Sequence, residues 1–221
     1  MAICYVRENN GGLEFSEEDQ QTHWNHKWNK QIVTYALQKD SVDIEGRAKE
    51  KLAVNLAMST WNFEIPVKLK SVKGNQNPDI FINFANEDDD DYLKGNILAY
   101  AYYPDTSHEG KIVFNEKFLW SLNGKGINGH EAFPDLYSYG TKTKIKTFNM
   151  VHVLIHEIGH SLGLTHDASN NSSVMWFQYN GQLHLNDYDI ERITDKYGKR
   201  SWNPRVYKFI KRWLSRRKNG L

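Results

Sequence analysis

Three histidines in the stretch "HEIGHSLGLTHD" (156–167) stand four and then six residues apart, and few folds can use that spacing. On an α-helix, residues four apart lie about 40° apart around the axis and about 6 Å along it, so His156 and His160 project side by side. A third histidine ten residues on would sit roughly 15 Å further along and on another face if the helix continued. The chain therefore has to turn back between them. Gly163 stands where a left-handed, helix-ending residue costs least, and it can return His166 to the first two. Phe148, Val151, Ile155, Ile158 and Leu162 recur at helical intervals and predict that this helix is partly buried.

Three neutral imidazoles converging on Zn²⁺ leave a fourth position for water, which marks a catalytic rather than a structural zinc. Glu157 follows the first histidine, where it can serve as base without coordinating the metal. The expected reaction is peptide-bond hydrolysis by a zinc-bound water that Glu157 activates, with Glu157 passing the proton to the leaving amine. The plainer reading, an amphipathic helix with exposed histidines, does not account for Gly163 and His166 at the required offsets. His152 lies one turn earlier on the same face, but three histidines and a water already fill a tetrahedral site.

The rest of the chain suits such a site. Its 221 residues allow one domain with a sizeable core plus appendages, and 39% hydrophobic with 13% aromatic residues describe a folded protein. The single cysteine, Cys4, excludes a disulfide framework and a Cys-rich zinc ribbon. No apolar run approaches the ~18 residues of a membrane span, and the start lacks the apolar core of a signal peptide, so no export signal is read. Charge is unevenly spread. From Lys196 onward there are ten basic residues and no acid, against 18 basic and 27 acidic before it.

Along the chain, a polar start runs through about His26. "QIVTYAL" (31–37) reads as a strand and "GRAKEKLAVNLAMSTW" (46–61) as an amphipathic helix. Four more β-like runs follow, "IPVKLKSV", "DIFINFA", "ILAYAYY" and "KIVFN". Residues 121–147 show little periodicity and read as a long loop. A helix is expected at Asp187–Tyr197, closed by Gly198.

The pattern His156-Glu157-x-x-His160-x-x-Gly163-x-x-His166, followed by Met175 in "SVMW", resembles the metzincin zinc endopeptidases, and "HEIGHSLGL" is similar to their matrixin branch. The resemblance implies an α+β fold: a twisted, mostly parallel five-stranded sheet with an active-site helix and a C-terminal helix. It implies a protease domain at 28–198, an N-terminal segment at 1–27 and a basic tail at 199–221. By the same resemblance Met175 forms the turn beneath the zinc. Substrate pairs along the edge strand 98–102, starting with Leu98 and Ala99, and residues 176–179 wall the specificity pocket, with Tyr179 at a pocket position. The partners are protein or peptide substrates, the protein acts as a monomer, and the resemblance favours an extracellular location.

The departures are specific. Tyr100, Val113, Lys111 and Phe118 stand where matrixins carry ligands of a structural zinc and a neighbouring calcium, so one catalytic zinc is expected. The acidic run 88–91 reads either as a solvated loop or as a calcium site. Asp167 after the third histidine is more usual in the adamalysin branch. Cys4 is either an incidental thiol or a thiolate donated to zinc, and His23 and His26 belong to an entry segment packing on the body. From Pro204, Val206, Phe209, Ile210, Trp213 and Leu214 fall at helical spacing among Arg205, Lys208, Lys211, Arg212 and Arg216. This basic amphipathic helix either docks on the acidic body or lies on an anionic membrane surface, with nucleic acid a weaker candidate. A catalytically retired fold that binds through this tail is the rival to the enzyme.

Overall fold

Period-two runs become strands where a helix can cover one face of them. In chain order the elements are β1 (Ile3–Arg7), β2 (Ile32–Leu37), α1 (Arg47–Asn62), β3 (Lys68–Ser71), β4 (Ile80–Ala85), β5 (Ile97–Tyr102) and β6 (Lys111–Asn115). They are followed by β7 (Leu119–Ser121), β8 (Asp135–Ser138), β9 (Thr141–Lys144), β10 (Thr147–Asn149), α2 (Met150–Ser161), α3 (Asp187–Tyr197) and α4 (Pro204–Lys218). The computed structural model describes the backbone of residues 3–7, 26–122, 135–138, 141–144, 147–202 and 204–218.

The expected five strands form the sheet β3-β2-β4-β6-β5, parallel except for β5, which runs antiparallel to β6. A sixth strand extends it. β1 adds in parallel to β5, with Cys4 opposite Ala99 and Val6 opposite Ala101. The five-residue run "ICYVR" lies in a polar segment, and its partner is more than ninety residues away, so no local signal marked it as a strand. The edge 98–102, expected to be open to substrate, is thus paired on both sides. Of the segment 121–147 expected as a loop, residues 135–144 contain the antiparallel pair β8–β9, and 123–134 lie outside the described residues.

The core lies between the sheet and helices α1 and α2. All 12 residues of α2 are buried, including the β-branched Val151, Val153, Ile155 and Ile158, which have low intrinsic helix preference. Burial on every side favours the helix nonetheless, and its start is held by Asn149, whose side chain accepts the Val151 and His152 N–H groups. Trp61 of α1 crosses to α2 and donates its indole N–H to the Ile155 carbonyl at 2.8 Å.

Tyr100 and Val113, which stand in place of metal-binding histidines, face each other across β5–β6 and pack with Leu93 and Tyr102. The Tyr100 hydroxyl donates to Asp90 at 2.5 Å, which gives one member of the acidic run a structural task. Among the described residues no helix is long and apolar enough to cross a membrane.

The C-terminal helix α4 docks on α1. Tyr207 and Ile210, with Trp202 before the helix, pack against Leu56 and Phe63, and Lys211 lies 3.6 Å from the Glu64 carboxylate. Two residues of the apolar stripe keep much of their surface in solvent: Phe209 is 70% and Trp213 41% exposed. The side chains of Val206 and Leu214 lie outside the described residues.

One buried acid makes stability depend on pH. Glu50 of α1 is fully buried; one oxygen accepts the Ser41 N–H at 2.8 Å and the other has no hydrogen-bond partner. Burial first, then the nearby Asp40 and Glu116, push its carboxyl from an ordinary value near 4.5 up to about 7, against the Ser41 N–H and Arg47. A carboxyl raised in this way holds its proton better when folded, so the contribution of Glu50 to stability is fully present below about pH 4.5 and declines as pH rises through about 7. Between pH 5 and 8 the loss from this group is on the order of 2–3 kcal/mol. Glu50→Gln keeps an acceptor for Ser41 and should flatten that decline in urea unfolding. Identical pH slopes in the two proteins would show that another group titrates.

Candidate metal centre

The three histidines converge as their spacing predicts. His156 and His160 leave α2 one turn apart, and the helix closes beyond them: the Gly163 N–H donates to the His160 carbonyl at 2.7 Å and the Leu164 N–H to Gly159 at 2.9 Å. Gly163 adopts φ 87°, and a Cβ there would lie 1.9 Å from the His26 carbonyl oxygen, so both its conformation and its surroundings require glycine. The turn returns His166. The Nε2 atoms of His156 and His160 lie 2.9 Å apart, and those of His160 and His166 3.3 Å apart.

Each of the helical imidazoles is locked. His156 donates its Nδ1–H to the Val174 carbonyl and His160 to the Leu164 carbonyl, both at 2.7 Å. These bonds fix the tautomer and leave the Nε2 lone pairs pointing at a common point. Burial, and then the neighbouring imidazoles, hold His156 and His160 well below the usual histidine range, while burial and then Arg192 lower His166 to about 3. All three rings are neutral at physiological pH, as metal ligands must be. A tetrahedral Zn²⁺ with bonds of 2.0–2.1 Å places its nitrogens about 3.3 Å apart, which is the His160–His166 separation, while His156 and His160 stand slightly closer at 2.9 Å. Among the described residues this is the one group of His, Cys, Asp or Glu spaced to hold a metal.

A sequence model of the family described as Matrixin matches residues 27–198. The chain belongs to the matrixin family. Among relatives of this matrixin, matrilysin of Felis catus is 30% identical over 207 residues, covering 90% of this chain and 70% of the relative. Matrix metalloproteinase-26 of Homo sapiens is 30% identical over 182 residues, covering 79% and 60%. Macrophage metalloelastase of Rattus norvegicus is 29% identical over 187 residues, covering 80% and 35%. The chain thus spans between about a third and 70% of these relatives' lengths. This matrixin carries the zinc-binding triad His156, His160 and His166 with Glu157 beside it on the helix, and Glu157 is fully buried.

Other predicted residues take distinct places. Met175 is fully buried below α2, and a Cβ on Gly159 would meet its sulfur at 2.3 Å and Trp61 at 3.0 Å. The second variable position of "HEIGH" is therefore a packing position that admits no side chain without displacement. Tyr179 stands at the start of α2: its hydroxyl accepts the Asn149 N–H at 3.1 Å, and its ring meets Phe148 and His152 edge-on. His152 donates to the Gln182 carbonyl at 2.5 Å and so takes part in that contact rather than in the metal cluster. Leu98 and Ala99 are fully buried on β5. His26 stacks on Tyr103 and donates to the Pro104 carbonyl at 2.9 Å, while the Cys4 side chain and His23 lie outside the described residues.

Sequence reasoning missed the residues that hold the segment 165–176 in place. Asp189, fully buried on α3, accepts from the Ser173 hydroxyl, from the Val174 N–H at 3.1 Å and from the Asn186 N–H at 3.0 Å. It thereby ties α3 to the segment whose Val174 carbonyl orients His156. Arg192 on the same helix donates to the Thr165 carbonyl and hydroxyl, fixing the residue before His166. Asp167 caps the next turn by accepting from the Ser169 and Asn170 N–H groups, and its own N–H donates to the Met175 carbonyl at 2.8 Å. The one signal in the sequence was the Asn186-x-x-Asp189 capping pair, which marks a helix start but not its second task.

Proposed function

We propose that this matrixin cleaves internal peptide bonds of protein or peptide substrates, with His156, His160 and His166 holding zinc and Glu157 moving the proton. The observation that carries the reading is the convergence of three neutral imidazoles, two of them locked by backbone carbonyls. Zinc bound there supplies Lewis-acid polarisation and makes water acidic enough to be a nucleophile near neutral pH. Glu157 accepts a proton from the attacking water as the new C–O bond forms, and delivers it to the leaving nitrogen as the C–N bond breaks. Met175 packs beneath the ligands, and Tyr179 stands at one wall of the pocket.

Residues 28–198 form the protease unit in this reading, with 1–27 an entry segment and 199–221 a basic tail. Substrate extends along Leu98 and Ala99 as an added strand. β1 holds that edge, so substrate binding there is a strand exchange. The rival, a binding protein built on a retired site, predicts no turnover. Incubation with quenched-fluorescent peptides should give cleavage that a chelator stops and added zinc restores. Absence of chelator-sensitive cleavage at any pH would favour the rival.

A further inference from the structure

Docking of α4 on the body uses one side of the helix. With about 100° between successive residues, Tyr207, Ile210 and Lys211 share an arc of roughly 100°, and these side chains meet Leu56, Phe63 and Glu64. Lys208, Phe209, Arg212, Trp213 and Arg216 occupy the opposite arc, and all five are exposed. They form two stripes. Lys208, Arg212 and Arg216 stand four apart, as do Phe209 and Trp213, and the three-residue steps 209 to 212 and 213 to 216 set the stripes side by side. A single exposed ring is ordinary on a protein surface, but two adjacent rings rimmed by cations mark an interaction site.

The cations on the two sides of the tail differ. Lys211 lies beside Glu64, and Arg200, ahead of the helix, donates to the Ile65 and Val67 carbonyls at 2.7 and 3.1 Å. Lys208, Arg212 and Arg216 form no ion pair among the described residues. The chain has no acid from Lys196 to its end, so nothing along α4 neutralises this stripe. Its charge is complementary to an anion outside the molecule.

We propose that the outer face of the docked α4 binds an anionic bilayer surface, lying along it and not crossing it. The two stripes suit the two layers of such a surface: aromatic rings enter the boundary between headgroups and acyl chains, and basic groups stay among the lipid phosphates and carboxylates. Long basic side chains can bend along the surface and keep their charges at headgroup level while the rings go deeper. Nucleic acid suits this face less, because a convex helix offers no groove to track a strand. The tail also sits where attachment leaves the substrate edge free. Its contacts are with the end of α1 and the approach to β3, and β2, β4 and β6 separate β3 from β5.

Co-sedimentation of the full chain with vesicles tests this, comparing phosphatidylcholine alone with phosphatidylcholine carrying about 30% phosphatidylserine. The mixed vesicles should bind at least ~10-fold more tightly, and binding should fall as salt is raised. Phe209→Ser with Trp213→Ser, and separately Lys208→Gln, Arg212→Gln and Arg216→Gln together, should each weaken that binding at least ~10-fold. Lys39, Lys49 and Lys73 are exposed near the end of β2, the start of α1 and the end of β3, and changing these three to Gln should alter it less than about threefold. No binding to the mixed vesicles, equal binding to both vesicle types, equal weakening by the two charge variants, or full binding by both α4 variants overturns the proposal. So does release of the chain from the mixed vesicles by duplex DNA at equal anionic charge, or a dimer formed through Phe209 and Trp213 in place of vesicle binding. The measurement needs no cleavage, so its failure is separate from failure of the peptidase reading.

Discussion

Glu157→Ala is expected to lower the rate of peptide hydrolysis at least ~100-fold while the chain keeps its zinc. The two effects separate because the metal is held by His156, His160 and His166, whereas Glu157 is one residue along the helix from His156 and handles protons only. Its full burial excludes bulk water from the carboxylate, so no solvent buffer replaces it easily in the variant. Elemental analysis alongside single-turnover kinetics checks both halves. Turnover comparable to the parent would mean that the base lies elsewhere, and loss of zinc would mean that Glu157 supports the ligands.

His166→Ala should remove the zinc itself and reduce cleavage to the level seen with a chelator. His156 and His160 form a pair fixed by the helix, but two imidazoles leave a four-coordinate metal half-ligated. Because zinc binds the folded chain through a site that exists only when residues 156–166 are in place, its loss also removes stability. At a zinc concentration of about 1,000 times Kd the contribution is about 4 kcal/mol, which in a domain of this size amounts to roughly 10 °C in Tm. The parent should therefore show a zinc-dependent Tm, and the variant none. The same analysis should return one zinc per chain, since Tyr100, whose hydroxyl is held by Asp90, and Val113 pack together where a second site would need imidazoles. Full occupancy in the variant would contradict the three-histidine centre, and two tightly bound zincs in the parent would contradict the metal count.

Much of this protein was legible because its signals are local. The i, i+4 pair His156 and His160 lies on one helix face whatever surrounds it, Gly163 can only be a turn if His166 is to return, α3 has a capping pair at its start and Gly198 at its end, and α4 starts at Pro204. The β-like runs between turn signals marked β2 to β6, and in β4 the period of two survives as alternating burial.

Only the tertiary structure decided the rest, because it depends on partners far away along the chain. Strand pairing has no local signature, so β1 on β5 became visible only when Ile3–Arg7 and Ile97–Tyr102 were brought side by side. Buried polar groups must find hydrogen-bond partners wherever the fold supplies them, and for Asp189 those are Ser173 and Val174, on the segment that orients His156. Close packing assigned Gly159 to the space beside Met175 and Trp61, a demand set by volume and not by sequence spacing. On its pattern alone the tail could dock on the body or lie on an anionic surface; only the fold brings Trp202 and Tyr207 onto the ring of Phe63 and Lys211 beside Glu64.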